Sequence, residues 1–113
     1  MTYRDPRPGG RFAPWLNQLR HRSGVYVFRS KLTGRVLYVG ESHTGNLART
    51  IKRHFWEWGD RTGRHHYTVG WLVPVELAVR VLPAERAIEE QARLILRLEP
   101  VHNRETPTDV VPF

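Results

Sequence analysis

The sequence contains no cysteine. Disulfide bonds, cysteine-ligated zinc, iron–sulfur clusters and cysteine nucleophiles are therefore excluded. No apolar run approaches the roughly 20 residues that a membrane-spanning helix needs. Residues 1–11 are rich in Arg, Pro and Gly and hold no apolar signal segment. These absences favour a cytoplasmic protein with no membrane partner.

Lysine and acidic residues are also scarce. Of the 18 basic side chains 16 are Arg, against 11 acidic side chains, and the formal net charge is +7. The excess lies early in the chain, because residues 1–66 carry a net charge of +9 and residues 67–113 carry −2. Arg makes two-point contacts with phosphate and stacks on flat rings, so the composition predicts a polyanionic partner, in particular nucleic acid. The alternative is an exchange of Lys for Arg without functional cause.

The length of 113 residues suits one domain. Apolar residues make up 40% of the chain and twelve residues are Trp, Tyr or Phe, which is typical of a folded core and not of a disordered chain. We expect a flexible basic arm at residues 1–13, a single domain at residues 14–103 and a C-terminal tail at residues 104–113.

Apolar periodicity and turn residues predict the order helix, strand, strand, helix, strand, helix. The first helix is short and begins at Pro14. This order predicts an α+β sandwich with a small, mostly antiparallel sheet. The other predicted elements are strands at 25–29, 36–39 and 75–82, a loop at 40–45, and helices at 47–58 and 84–98.

Both long helices carry polar residues on their apolar stripes. Thr50 and His54 lie on the inward stripe of the helix at 47–58. Gln91 lies within the stripe of the later helix, and Glu90 is turned about 100° away from it. A buried polar group without a hydrogen bond costs about 1–3 kcal/mol, so His54 and Gln91 need partners, which could be backbone groups or each other. The two stripes consist of Leu47, Ile51 and Phe55, and of Ala84, Ile88, Ile95 and Leu98.

Two tripeptides flank the predicted hairpin: Gly24-Val25-Tyr26 and Tyr38-Val39-Gly40. The pair resembles the signature of the GIY-YIG nuclease superfamily, with Val for Ile at both middle positions. The resemblance covers about residues 24–103. Its later landmarks follow in the family's order and are Asn46-Leu47, His54-Phe55, Leu94-Ile95, Pro100 and Asn103.

The resemblance implies an α/β sandwich around a three-stranded antiparallel sheet. It also implies phosphodiester hydrolysis in DNA with one divalent metal, Mg²⁺ or Mn²⁺, which stabilises charge on the phosphate oxygens together with cationic side chains. By this resemblance, Tyr26 and Tyr38 hold the site and one helps to activate water. His54 contacts phosphate or handles a proton, and Asn103 supports the site. The alternative role of the two tyrosines is packing.

Two positions depart from the family pattern. Thr50 stands where the family has its catalytic Arg, and Gln91 stands where it has its metal-binding Glu. A neutral amide is a poorer ligand for Mg²⁺ than a carboxylate. The expected residue types occur one position earlier, which makes Arg49 a candidate catalytic residue and Glu90 or Gln91 a candidate metal ligand. Glu41 is a further carboxylate that could approach from the loop.

These observations leave two main hypotheses. The first is a metal-dependent DNA endonuclease with a rearranged GIY-YIG active site. The second is a catalytically impaired protein of the same fold that binds nucleic acid, in particular double-stranded DNA. In both, specificity could come from a partner protein, a homodimer or the arm. The candidate nucleic-acid contacts are His43, Arg49, Lys52 and Arg53.

Two weaker patterns, one of Trp and one of His residues, stand beside these hypotheses. Trp56, Trp58 and Trp71 offer flat surfaces for stacking on RNA bases, although packing is the commoner role of Trp. His65 and His66 are adjacent in a predicted loop, and neighbouring histidines rarely point at one ion, so with His43 they do not predict a zinc site.

Overall fold

The computed structural model of this chain describes residues 1–55 and 74–105, without the side chains of residues 104 and 105. Two short 3₁₀ turns, at Pro8–Gly10 and Pro14–Leu19, precede the sheet, and a third at Arg53–Phe55 follows the first helix. The strands are β1 (Gly24–Ser30), β2 (Val36–Ser42) and β3 (Val75–Val81), and the helices are α1 (Leu47–Lys52), α2 (Ala84–Leu98) and α3 (Val101–Glu105).

The three strands form one sheet in the order β2-β1-β3, with β1 antiparallel to both neighbours. This confirms the prediction of an α+β domain with a three-stranded antiparallel sheet and flanking helices. No helix within the described residues is long and apolar enough to cross a membrane.

Each face of the sheet has its own core, because side chains along a strand alternate between faces. Tyr26 and Phe28 of β1 point to the face that α1 covers, together with Leu47 and Ile51. The intervening β1 residues point to the α2 face. The core there consists of Val25, Val27, Val39 and Leu94, with Tyr3, Val36, Leu82, Ile95 and Leu98 partly buried against it.

The second strand is longer than its sequence predicts. Residues 40–42 belong to β2 and not to a loop, because Glu41 pairs with Val25 and Ser42 pairs with Gly24. Gly and Ser indicate a turn in sequence, but the partner strand holds them extended. The helix predicted at 47–58 is α-helical to Lys52 and continues as a 3₁₀ turn to Phe55; its last three residues lie outside the described ranges.

The inward stripe predicted for α2 is wrong in its first half, whereas Ile95 and Leu98 are partly buried against the core as predicted. Ala84 is exposed and Ile88 is 53% exposed. The buried residues of the helix are Ala87, Glu90 and Leu94. Glu90 is stabilised on the sheet side of the helix by ion pairs with Arg80 of β3 and with Arg93 of α2 itself. The spacing of apolar residues carries no information about such ion pairs.

The segment predicted as a flexible arm makes specific contacts. The backbone N–H of Arg4 donates to the carbonyl of Leu77 at 2.8 Å, and the Leu77 N–H donates back to Arg4 at 2.7 Å. Pro6 is buried, and its carbonyl accepts a 2.8 Å hydrogen bond from the Ala13 N–H. Residues 4–13 therefore lie against the domain. Of the predicted tail, residues 104 and 105 end α3, and residues 106–113 lie outside the described part.

Candidate nucleic-acid interface

Three of the predicted catalytic side chains meet on the α1 face of the sheet. The Tyr26 hydroxyl lies 2.9 Å from Nε2 of His54. The ring centroids of Tyr38 and His54 are 5.0 Å apart, and those of the two tyrosines are 6.3 Å apart. The exposed fractions are 1% for Tyr26, 2% for Tyr38 and 0% for His54. Tyr26 therefore satisfies the buried imidazole, and a phosphodiester on the surface of this structure does not touch any of the three.

The strand register explains why the signature glycines flank this cluster. Tyr26 pairs directly with Gly40 across β1 and β2, so both residues face α1. A Cβ at position 40 would collide with the Tyr26 ring. Gly24 has a φ of +155°, and a Cβ there would collide with the Arg80 carbonyl of β3. Close packing of strand and ring thus requires both glycines, whatever chemistry the domain performs.

Asn103 of α3 binds the backbone of Val39 in β2. Its Oδ1 accepts the Val39 N–H at 2.8 Å, and its Nδ2 donates to the Val39 carbonyl at 2.9 Å. β2 is an edge strand, so the N–H and carbonyl of Val39 point away from the sheet. The Asn103 side chain gives both groups a hydrogen bond, as a fourth strand would. Asn103 is 8% exposed, so its role here is to fix the strand that carries Tyr38.

A surface cleft of about 200 Å³ opens where β2 ends and α1 begins. Its position follows from the length of β2, which carries Glu41 and Ser42 up to the start of α1. Arg49 and Arg53 are four residues apart and lie on the same side of the helix. The lining residues are Glu41, Ser42, His43, Thr44, Asn46, Arg49, Thr50 and Arg53.

The cleft gathers most of the predicted nucleic-acid contacts. His43, Arg49 and Arg53 line it, together with Thr50 at the position where the resemblance leads one to expect Arg. Arg49 is exposed, and its side chain makes no hydrogen bond or ion pair with the described residues. Lys52 lies elsewhere, because its Nζ sits 5.4 Å from the ring centroid of Phe12.

Inside the cleft, Glu41 and His43 form a pair. Nδ1 of His43 is 3.1 Å from each carboxylate oxygen of Glu41. The Glu41 side chain is only 8% exposed, whereas that of His43 is 37% exposed. Glu41 was a minor candidate from the sequence, since residues 40–45 read as a loop. The extended β2 strand brings its carboxylate into the cleft.

Glu90, a candidate metal ligand, is bound by two guanidinium groups on the opposite face of the sheet. Arg93 contacts its two carboxylate oxygens at 2.8 Å each, and Arg80 also donates to it. Arg80 pairs with Val25 and so faces α2, away from Tyr26. The hydrogen bonds from Arg93 lower the pKa of Glu90 against the opposing effect of burial, and the charges of Arg93 and Arg80 add to the lowering.

These residues do not fit the metal that the resemblance implies. A divalent ion at Glu90 would have to displace Arg80 and Arg93. Gln91 is half-buried, beside Glu90 on α2. It offers a neutral amide, which is a weak ligand for Mg²⁺. No group of three or more His, Asp or Glu side chains in residues 1–55 and 74–105 could hold a metal ion.

Sequence reasoning missed Arg80 and Arg93 as the partners of Glu90. The spacing of Glu90 and Arg93, three residues apart on a helix, was a usable signal for one of them. Arg80 lies ten residues before Glu90, on a different element, and only the fold shows its contact. Other candidates lie outside the described residues, namely Trp56, Trp58, His65, His66 and Trp71.

A scan against models of known protein families finds no match, and no curated protein matches the sequence.

Proposed function

We propose that this chain binds the phosphate backbone of nucleic acid, in particular double-stranded DNA, in the cleft between β2 and α1. The observation that carries the proposal is Arg49. Its guanidinium is exposed at the cleft and has no acidic partner among the described residues. Arg at such a position can donate two parallel hydrogen bonds to a phosphate.

The other lining groups support the same ligand. Hydroxyl and amide side chains are common phosphate contacts beside Arg, and here Thr44, Asn46 and Thr50 provide them. The Arg53 side chain also lines the cleft, one helical turn after Arg49. The net charge of +9 on residues 1–66 favours approach of a polyanion to this part of the molecule.

Binding of a fluorescent DNA duplex, followed by anisotropy at several salt concentrations, tests the proposal. We expect Arg49→Gln to weaken binding and to reduce the slope of log K against log[salt] by about 1, because one phosphate contact is lost. Arg35→Gln is the matched control. Arg35 is exposed in the basic part of the chain but precedes β2, and the strand residues 36–40, at about 3.3 Å each, separate it from the cleft.

The proposal fails if duplex binding does not depend on salt. It also fails if Arg49→Gln and Arg35→Gln weaken binding equally, because the general positive charge of the chain would then account for it.

We also propose that the domain has a GIY-YIG-like fold. The support is the order β2-β1-β3 and the position of both signature tyrosines on one face of that sheet. The second candidate function is then the metal-dependent endonuclease activity that the family resemblance implies. The contact between Tyr26 and His54 favours it, and the two arginines bound to Glu90 weigh against it.

Plasmid nicking with Mg²⁺ or Mn²⁺ separates the two candidates. An endonuclease of the family type predicts metal-dependent nicking that Tyr26→Phe and Glu90→Ala both reduce. A binding protein predicts no nicking that depends on added metal in the natural chain. The double variant Thr50→Arg, Gln91→Glu restores the two family residue types, and a gain of nicking in that variant alone supports the view that the chain kept the fold and lost the chemistry.

A further inference from the structure

We infer that Glu41 and His43 form a general-base pair that cleaves a phosphodiester held in the cleft without a metal ion. The inference rests on the proposed binding function and deepens it, since it assigns chemistry to the same cleft. It does not use the tyrosines or the carboxylate positions of the family resemblance.

The first step is the orientation of the imidazole. Nδ1 of His43 faces the Glu41 carboxylate at 3.1 Å from both oxygens. An ionised carboxylate only accepts hydrogen bonds, so Nδ1 carries the proton and donates it. Nε2 is then the unprotonated nitrogen of the neutral ring. It lies on the side of the ring away from Glu41, in a side chain that is 37% exposed and lines the cleft.

The second step is the asymmetry of the pair. An ordinary surface pair has both partners in water, where it contributes little to stability. Here the carboxylate is 8% exposed and the imidazole is open. Among the described residues, the Glu41 carboxylate has no hydrogen-bond partner other than His43. A buried carboxylate behind an accessible imidazole fixes the tautomer and stabilises the imidazolium that forms when the ring takes a proton.

The third step is the charge around His43. Glu41 faces it from β2, and Arg49 and Arg53 face the cleft from α1 and the turn that follows. The Arg49 guanidinium can hold the non-bridging oxygens of a phosphodiester and stabilise the negative charge that builds on them. His54 does not compete for the role of base, because it is 0% exposed and its Nε2 contacts the Tyr26 hydroxyl.

The reaction is hydrolysis. Nε2 of His43 accepts a proton from water while the water oxygen forms a bond to phosphorus. The bond from phosphorus to one ester oxygen breaks, and its electron pair leaves with that oxygen. The imidazolium returns the proton to the leaving oxygen, directly or through water. The products are a phosphate monoester and an alcohol, and both Glu41 and His43 return to their starting states.

Single-turnover cleavage of labelled DNA and RNA duplexes in excess EDTA tests the inference, with the protein saturating so that binding does not limit the rate. We expect slow cleavage of at least one duplex by the natural chain. His43→Gln should lower the rate about 100-fold, a typical contribution of a general base. His21→Asn is the control, because His21 is exposed, does not line the cleft and has a φ of 62°, which Asn tolerates.

Two further variants distinguish a catalytic role from a structural one. Added imidazole should restore part of the cleavage by His43→Ala, because a free base can enter the space that the ring leaves. Glu41→Gln keeps an acceptor for the Nδ1 proton but removes the charge, so its loss of rate should be smaller than that of His43→Gln and should leave duplex affinity within about threefold.

The outcomes separate this inference from the proposed function. Salt-dependent binding without any cleavage in EDTA overturns the inference and leaves the binding function standing. Cleavage that His43→Gln leaves unchanged also overturns it. Loss of binding in Arg49→Gln together with His43-dependent cleavage supports both, whereas absence of binding to either duplex overturns the proposed function itself.

Discussion

Gly40 and Tyr26 show how a two-residue contact can account for part of a sequence signature. They are paired across β1 and β2, and the ring covers the glycine. The hydroxyl of the same ring bonds to His54, so the ring is not free to move away. The glycine is therefore needed for packing at this position.

This contact predicts that Gly40→Ala destabilises the fold by about 1–3 kcal/mol, the usual cost of an extra methyl group in a packed core. Urea unfolding measures the change. The same substitution in a Tyr26→Leu background should cost clearly less, because the ring atoms that meet the new methyl group are gone. An equal cost in both backgrounds would show that the strain comes from the backbone and not from the ring.

The residue scale also shows what periodicity can predict. The spacing of Leu47, Ile51 and Phe55 correctly placed His54 on a buried stripe, since its exposure is 0%. It could not identify the partner. Gln91, one of the partners considered, lies on α2 across the sheet, whereas Tyr26 is 28 positions away in sequence. Burial follows from a local repeat, but a hydrogen bond to another element depends on the strand register.

At the scale of elements, α2 is the part that the sequence predicted least well. Its bounds agree with prediction, because Pro83 starts it and residue 99 ends it. Its rotation does not agree, since Ile88 is exposed and Glu90 is buried. Arg80 of the sheet and Arg93 of α2 itself offset the cost of burying the carboxylate. A count of apolar residues alone therefore selects the wrong face.

The ion pairs of Glu90 predict a dependence of stability on pH. Its pKa is lowered in the folded protein, chiefly by the hydrogen bonds from Arg93. A carboxyl group of this kind stabilises the fold above the pKa of unfolded Glu, about 4.3, and this contribution is lost as the pH falls through the lower folded value. Glu90→Gln should thus be less stable than the natural chain at pH 7 and should approach it in stability near pH 3.

The expected difference at pH 7 is about 1 kcal/mol, because both arginines are largely exposed and solvent screens their charge. Thermal unfolding from pH 3 to pH 7 measures it. Glu89→Gln is the matched control, as Glu89 is exposed on the same helix and should show a weaker dependence. A constant difference between Glu90→Gln and the natural chain across this range would contradict the assignment.

On the scale of the whole molecule, the early and the late parts of the chain cover different faces of the sheet. The early, basic part of the chain supplies α1, the cleft and the packing around Phe12 and Trp15 on one face. The later part supplies α2 on the other face, and the three Glu and three Arg side chains of that helix balance in charge. One basic face stays a prediction from the segregation of charge along the chain. The cleft could not be predicted, because it depends on Glu41 and Ser42, which lie in β2 beyond the predicted end of the strand.

The contact between the N-terminal segment and the sheet also gives a prediction. The sequence predicts a flexible arm at residues 1–13. The structure pairs Arg4 with Leu77 at the outer edge of β3, so both amide hydrogens should exchange slowly with solvent. Deletion of residues 1–5 should speed exchange at Leu77 by at least about tenfold, since its N–H then faces water. The Val39 amide is the internal control, because Asn103 holds it at the opposite edge of the sheet. A mobile arm would instead give fast exchange at Arg4 in the full chain and no change at Leu77 after the deletion.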